Sequence, residues 1–381
     1  MQIDRLFEEL GIKYFSYLQK KVKDKNYQHI DGIPSDRVLK VIAQNTTVNS
    51  VIIAFLIGAL TTVPAVFFEM SYKESMPTKE FYIYLSLITI FMLVIELGVL
   101  YWLSLKAVYT LANILGYEKI DFDPGVPIEY QVEKLLVRTA LEIPDPNIKY
   151  LGIDLQKNIS QKKILLFSLL YKAKVILSSV LLKLLFRRIF ARFGVRVGFE
   201  WVSIPVTAFW DAFVMAKVIK DAKLRLFGYQ LSQFIIHQIF TKEFLSTMSY
   251  ELRLVSIRAV ASVVVLSKHY HPNNLLILVK LGENLKVDEE DDYDNREIFF
   301  KEYEKLNGEE KEFIKALIAI VAAFDGKLSK EEKEFLPTIF KNETDAYFKH
   351  IENIIDLLED GALHKVASIV EELLKSHLAG I

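Results

Sequence analysis

Residues 51–68 read VIIAFLIGALTTVPAVFF, and residues 81–105 read FYIYLSLITIFMLVIELGVLYWLSL. The first run carries no charge and the second a single one, Glu96. A helix needs ~20 apolar residues to cross ~30 Å of hydrocarbon, so both runs predict spans. The polar break at residues 69–80 predicts a transmembrane helical hairpin. The expected fold class is all-α, with the rest of the chain carried by that hairpin.

Orientation follows the Lys/Arg bias near the spans. The break holds Lys73 and Lys79 against three acids, whereas Arg37, Lys40, Lys106 and Lys119 flank the hairpin on its other side. That bias places both termini in the cytoplasm. Tyr82, Tyr84, Tyr101 and Trp102 stand near the ends of the second span, where aromatic belts form. The partner implied first is therefore a lipid bilayer.

Glu96 is the ionisable group inside a predicted span, and such a group is a functional candidate by default. Counted from the break it lies about 22 Å deep, at 1.5 Å per residue. That depth matches Asn49 or Ser50 on the first span, and it places Thr61 and Thr62 too far towards the break. Two readings follow. Glu96 staples the hairpin, or it lines an ion path in a homo-oligomer built around the hairpin.

Hydrophobic residues make up 52% of the 381, and mean hydropathy is +0.24, with 25% charged. This balance suits a short anchor with large water-facing parts, not a many-spanning transporter. Cysteine is absent, which excludes disulfides, thiolate metal sites and cysteine nucleophiles. The net charge of −1 conceals an asymmetry: residues 160–228 hold 13 Lys/Arg against 3 Asp/Glu, and residues 281–381 hold 13 against 25. A basic middle and an acidic tail attract each other or face different partners.

Before the hairpin, Phe7, Leu10, Ile12, Tyr14, Phe15 and Leu18 predict an amphipathic helix ending near Asp24. Ser35 is placed to cap a second, short helix leading into the membrane. After the hairpin, the second helix is expected to stop at Gly116. Residues 162–194 are leucine-rich, but Lys172, Lys174, Lys183, Arg187, Arg188 and Arg192 interrupt them. Each costs ~2.5–3.5 kcal/mol at a bilayer centre, so this stretch predicts a basic helix that does not span. His269 and His271 flank a helix end and lack a third ligand nearby, which argues against a metal site. The acidic run DEEDDYDN, residues 288–295, reads as a linker.

Residues 198–228, GFEWVSIPVTAFWDAFVMAKVIKDAKLRLFG, carry a Pro-led apolar start, a polar residue and a lysine-rich helix end. Through Pro205, Ala208, Asp211, Lys217, Ala222 and Gly228 this segment resembles the EcsC family of bacterial membrane-associated helical proteins. Asp211 stands where that family often has Asn. The resemblance implies a bacterial inner-membrane location and transfers no catalytic residue.

Near the C-terminus, Phe313, Ile314, Leu317, Ile318, Val321 and Phe324 recur at helical spacing. Asp325-Gly326 then turns the chain, and Ser329 with Glu332 forms an S-x-x-E capping box. Helices near 344–360 and 362–378 follow, parted by Gly361. At AAFDGKLSKEE, residues 322–332, the chain resembles the TerB-like domain, a helical module named from tellurite resistance. In that family the acidic residues are associated with divalent-cation binding, which carries over to Asp325 and Glu332 only. The capping box and the Asp-Gly turn explain the same residues without a cation.

The expected organisation is an amphipathic segment (1–47), the hairpin (48–106), an EcsC-like region (107–287), an acidic linker (288–301) and a TerB-like bundle (302–381). No G-x-S-x-G, Walker A, H-E-x-x-H or G-x-G-x-x-G motif stands in the sequence. The basic residues lie among leucines without a stacking platform, which argues against nucleic acid. The function expected is that of a non-enzymatic, membrane-anchored interaction or stress-related protein. Its cytoplasmic module meets a protein partner or senses a divalent cation. A transporter or channel component using Glu96, and an enzyme without a known motif, are the alternatives.

Overall fold

The computed structural model describes residues 2–23, 33–116, 137–138, 140, 199–267, 272–283, 285, 292–324 and 326–376. The basic stretch 162–194, the His269/His271 pair and Asp325 lie outside the described residues. Every regular element among the described residues is helical. The chain divides into two compact units.

One unit comprises Gln44–Val108 and Ile159–Ile219. It holds most of α2 (Asp36–Tyr72) and α3 (Thr78–Ile114) and the first part of α4 (Phe199–Phe234). Helices α2 and α3 form the expected hairpin, turning at residues 73–77 and closed by Phe68 stacked on Phe81 at 5.8 Å. The short helix expected after Ser35 does not exist separately. Ser35 O accepts the N–H groups of Val38 and Leu39, and the helix runs unbroken for 37 residues. Nothing between Asp36 and Tyr72 breaks it: Pro64 is absorbed inside the helix. Leu56, Leu60, Phe67, Leu87, Phe91 and Val94 expose large apolar side chains, as lipid-facing positions do.

Among the described residues three helices are long and apolar enough to cross a membrane: Asp36–Tyr72, Thr78–Ile114 and Trp201–Ile239. The sequence predicts two of these spans and a Pro-led apolar start with a lysine-rich helix end at residues 198–228, without a third span. Those lysines begin only at Lys217, so residues 201–216 are an apolar run with Asp211 as their one charge. Pro205, expected at the helix start, lies inside α4. The contacts of α4 fix its direction. Phe209 meets Phe55 edge-on at 5.2 Å, and Met215 Sδ lies 3.8 Å from the Ser104 hydroxyl, which donates to it. As α3 descends from Glu96 to Ser104, α4 descends from Thr207 to Met215. Helix α4 therefore runs with α3 and against α2.

The other unit comprises Met1–Ala43, Tyr109–Asn158 and Lys220–Ile381. Its described elements include α1 (Gln2–Lys23), a π-helical turn (Ile235–Ile239), α5 (Lys242–Thr247), α6 (Tyr250–Ser267), α7 (Pro272–Gly282), α8 (Arg296–Tyr303), α9 (Gly308–Ala323), α10 (Lys330–Phe340), α11 (Thr344–Asp360) and α12 (Leu363–Lys375). Helices α6 and α9 are buried on nearly every face, and a helix apolar all round belongs at the centre of a body. They pack on each other; α11 and α12 cover α9, and α7, α8 and α10 cover α6. Helix α1 rests on the end of α3 through Phe15 and Tyr109, ring centroids 5.7 Å apart.

Two buried arginines knit this body together. Arg253 Nη2 donates to Leu281 O at 2.8 Å and Glu283 O at 2.5 Å, closing the C-terminus of α7. Arg258 donates to Glu302 Oε2 at 2.9 Å and Asp292 O at 2.8 Å and covers the Tyr293 ring at 5.1 Å. The linker expected at 288–301 is thus partly built into the body. Tyr293 is buried, and Asn295 caps α8 by accepting from Glu297 N and Ile298 N. Charge density suggested solvation there. Tyr293, with the Arg258 cation above its ring, and the fully buried Phe299 seat residues 292–301 in the body.

Candidate functional site

In the unit that carries the apolar helices, polar side chains gather on one face of α2. Thr61 Oγ1 donates to Glu96 Oε2 at 2.8 Å, and Glu96 is 2% exposed. The sequence count had paired Glu96 with Asn49 or Ser50, and the bond is made by Thr61. The count placed Cα atoms only. A helical side chain leans towards the N-terminus of its own helix, which for Glu96 is the interhelical turn, and this closes several ångströms of the offset.

One turn below Thr61 stands Gly58. A Cβ there would overlap Asp211 Oδ2 and lie 3.0 Å from Ala208 Cα and from Thr207 O. The missing side chain lets α4 approach at backbone distance, as small residues do in membrane packing. Asp211 and Thr207 are both buried. Thr62 Oγ1 donates to Gly58 O at 2.8 Å, which keeps its hydroxyl satisfied inside an apolar helix. Two carboxylates, from α3 and from α4, therefore approach the same turn of α2. Glu96 was legible as a lone acid in a span. Asp211 was legible only as a pattern residue, since residues 201–216 were not read as membrane-spanning. Gly58 and Thr61 gave no signal of their own.

This arrangement can staple three helices, and it brings an acid from α3 and an acid from α4 to one turn of α2. Glu96 is buried within a single chain, so an oligomer is not needed to shield it. Glu96→Gln should keep the Thr61 bond, leaving membrane insertion and abundance unchanged. Glu96→Leu should lower both by removing the bond between α2 and α3, since the Thr61 hydroxyl is then left only acceptors on its own helix, Ile57 O at 2.9 Å among them. Equal abundance of all three proteins would remove the staple role.

In the other unit, Ser329 and Glu332 form the expected capping box at the start of α10. Glu332 N donates to Ser329 Oγ at 3.1 Å, and Ser329 N donates to Glu332 Oε2 at 2.7 Å. Glu332 is fully buried, and its Oε1 has no hydrogen-bond partner among the described residues. Burial pushes its carboxyl up, against the lowering effect of the Ser329 bonds. Asp345, Glu352 and Asp356, available in sequence as helpers for a cation, occupy exposed positions. Among the described residues no group of three or more His, Cys, Asp or Glu is placed to hold a metal.

The raised carboxyl fixes a pH dependence. A folded-state value above the unfolded one stabilises the protonated fold, so stability falls as pH rises from the ordinary Glu range through the raised value. Glu332→Gln keeps a box acceptor without the charge and should remove that slope, melting at or above wild type at neutral pH. Glu332→Ala should cost about 1 kcal/mol. A rise in Tm with Ca²⁺ or Mg²⁺ that Glu332→Gln abolishes would assign the cation role instead.

Comparison with protein-family models, with curated proteins and with solved structures finds no match to this chain. The likenesses to the EcsC and TerB-like families rest on the residues quoted above.

Proposed function

We propose that this protein is a membrane-anchored, non-enzymatic interaction protein of the bacterial cytoplasmic membrane. Its C-terminal TerB-like helices present a surface to a protein partner in a stress-related process. The observation that carries the reading is the course of α2. This helix begins in the unit that contains the C-terminal helices and continues through a run long and apolar enough to cross a bilayer. Anchor and cargo are thus joined through a helix to which both units contribute residues.

Topology is tested first. In this cysteine-free chain, cysteines at Ser75 and Glu200 should react with an impermeant maleimide in intact cells. A cysteine at Ser329 should react only after lysis. Labelling of Ser329 before lysis would reverse the orientation, and protection of Glu200 would remove α4 as a span. Partner binding is tested by photocrosslinking residues placed at Glu352 and Glu372, both outside the helical core, with Glu74 as control. Discrete adducts at the first two positions are expected, and their absence at normal abundance would overturn the interaction role.

A second reading, a proton- or cation-handling membrane component, is favoured by the approach of Glu96 and Asp211 to one turn of α2. Intramembrane acids mark ion paths as well as staples. Proteoliposome flux lost in both Glu96→Gln and Asp211→Asn, at unchanged incorporation, would establish it.

A further inference from the structure

We propose that Asp36, the first residue of α2, is a detachable N-cap for α12. With it, the corner between α11 and α12 docks reversibly on the start of α2 and the C-terminal half of α4. Helix α12 has no cap of its own: Ala362 occupies the N-cap position and offers no side-chain acceptor. Asp36, 328 positions away in sequence, supplies it. His364 N donates to Asp36 Oδ1 at 2.8 Å and Lys365 N donates to Oδ2 at 3.0 Å, while His364 Nδ1 lies 2.9 Å from Oδ1. One carboxylate therefore satisfies two orphan N–H groups at the positive end of a helix dipole.

The rest of the docking surface explains why it can open. Lys40 of α2 pairs with Asp360 at 2.7 Å, and Lys220 of α4 pairs with Glu359 at 2.7 Å. In the first pair both side chains are about half exposed, at 46% and 57%. Exposed pairs contribute little and are screened by salt. The apolar part of the seat includes Phe227 and the backbone of Leu39, over which Gly361 rests. Helix α12 keeps its own hold on α9 and α11, so undocking the corner from α2 does not require α12 to unfold.

The groups facing Asp36 and the corner are Lys40 on α2, Lys220 and Lys223 on α4, Glu359 and Asp360 on α11, and His364 and Lys365 on α12. Burial works to raise the Asp36 carboxyl, and the bonds from His364 and Lys365 outweigh it and hold it below its usual range. A lowered folded value gives stability that is present above the ordinary Asp range and lost as pH falls through the lowered one. The cap is therefore complete at neutral pH. Ionic strength, not a pH change near 7, is what opens it.

The test uses the full chain in nanodiscs, with spin labels on cysteines at Arg37 and Lys365, and reads the distance distribution between them. At low salt a single short population is expected. At about 1 M salt, where screening reaches ~3 Å, a second, longer population should appear. Asp36→Ala, which removes the cap acceptor, should show that population already at low salt, and Lys375→Ala should not. A single short distance under every condition, including wild type at high salt, would overturn the proposal and make the corner a permanent part of the core. The salt series on the unaltered Asp36 keeps the test decisive should Asp36→Ala fail to fold.

Discussion

Gly58→Leu is expected to be the most damaging single change in the helices read as membrane-spanning. The added side chain enters a place where a Cβ alone already overlaps the Asp211 carboxylate and crowds the α4 backbone at 3.0 Å. A flexible neighbour yields at little cost, but backbone does not. Overpacking of this kind costs about 3 kcal/mol. Abundance in the membrane fraction should fall several-fold, because a destabilised protein is cleared continuously. Gly98→Leu supplies the contrast: that glycine is on α3, and nothing lies within 4 Å of its would-be Cβ. Equal loss from both substitutions would point to helix insertion, and unchanged abundance for Gly58→Leu would mean that α4 does not pack there.

Gly361→Val should give the largest loss in the other unit. Gly361 ends α11 with φ +77°, a left-handed conformation that β-branched residues resist. A Cβ would also come within 3.1 Å of Phe227 Cζ. Conformation and crowding together cost about 2–3 kcal/mol. That lowers Tm by roughly 5–10 °C for a body of this size. Gly361→Asn tolerates the backbone better and should lose less. A wild-type Tm for the valine variant would show that the corner relaxes freely, which would also weaken the case for docking on Phe227 and Leu39.

Much of the helical framework is local, and local chemistry is written in short stretches. The hairpin follows from two charge-free runs and a polar break. The end of α3 follows from Gly116, which takes φ +72°. The start of α10 follows from Ser329 and Glu332, three residues apart and bonded to each other as that spacing requires. The breaks between the last three helices follow from residues beside them in sequence.

The candidate site was less legible because its members meet across helices. Glu96 stood out as a charge in a span, but its partner depends on side-chain lean and on how far one helix slides against another. Sequence spacing states neither. Asp211 acquires meaning only when α4 lies against Gly58, and the sequence shows a glycine there with no sign of what approaches it. Asp36 and His364 are separated by nearly the whole chain, so no window joins them. Tyr293 inside an acidic run reads as solvent-exposed until Arg258 covers it. Periodicity, the local capping boxes and apolar length, set by bonds within a few residues, were decided by the sequence alone. Register, depth and the choice of long-range partner were decided by the tertiary structure, because they depend on which surfaces exclude lipid or water together.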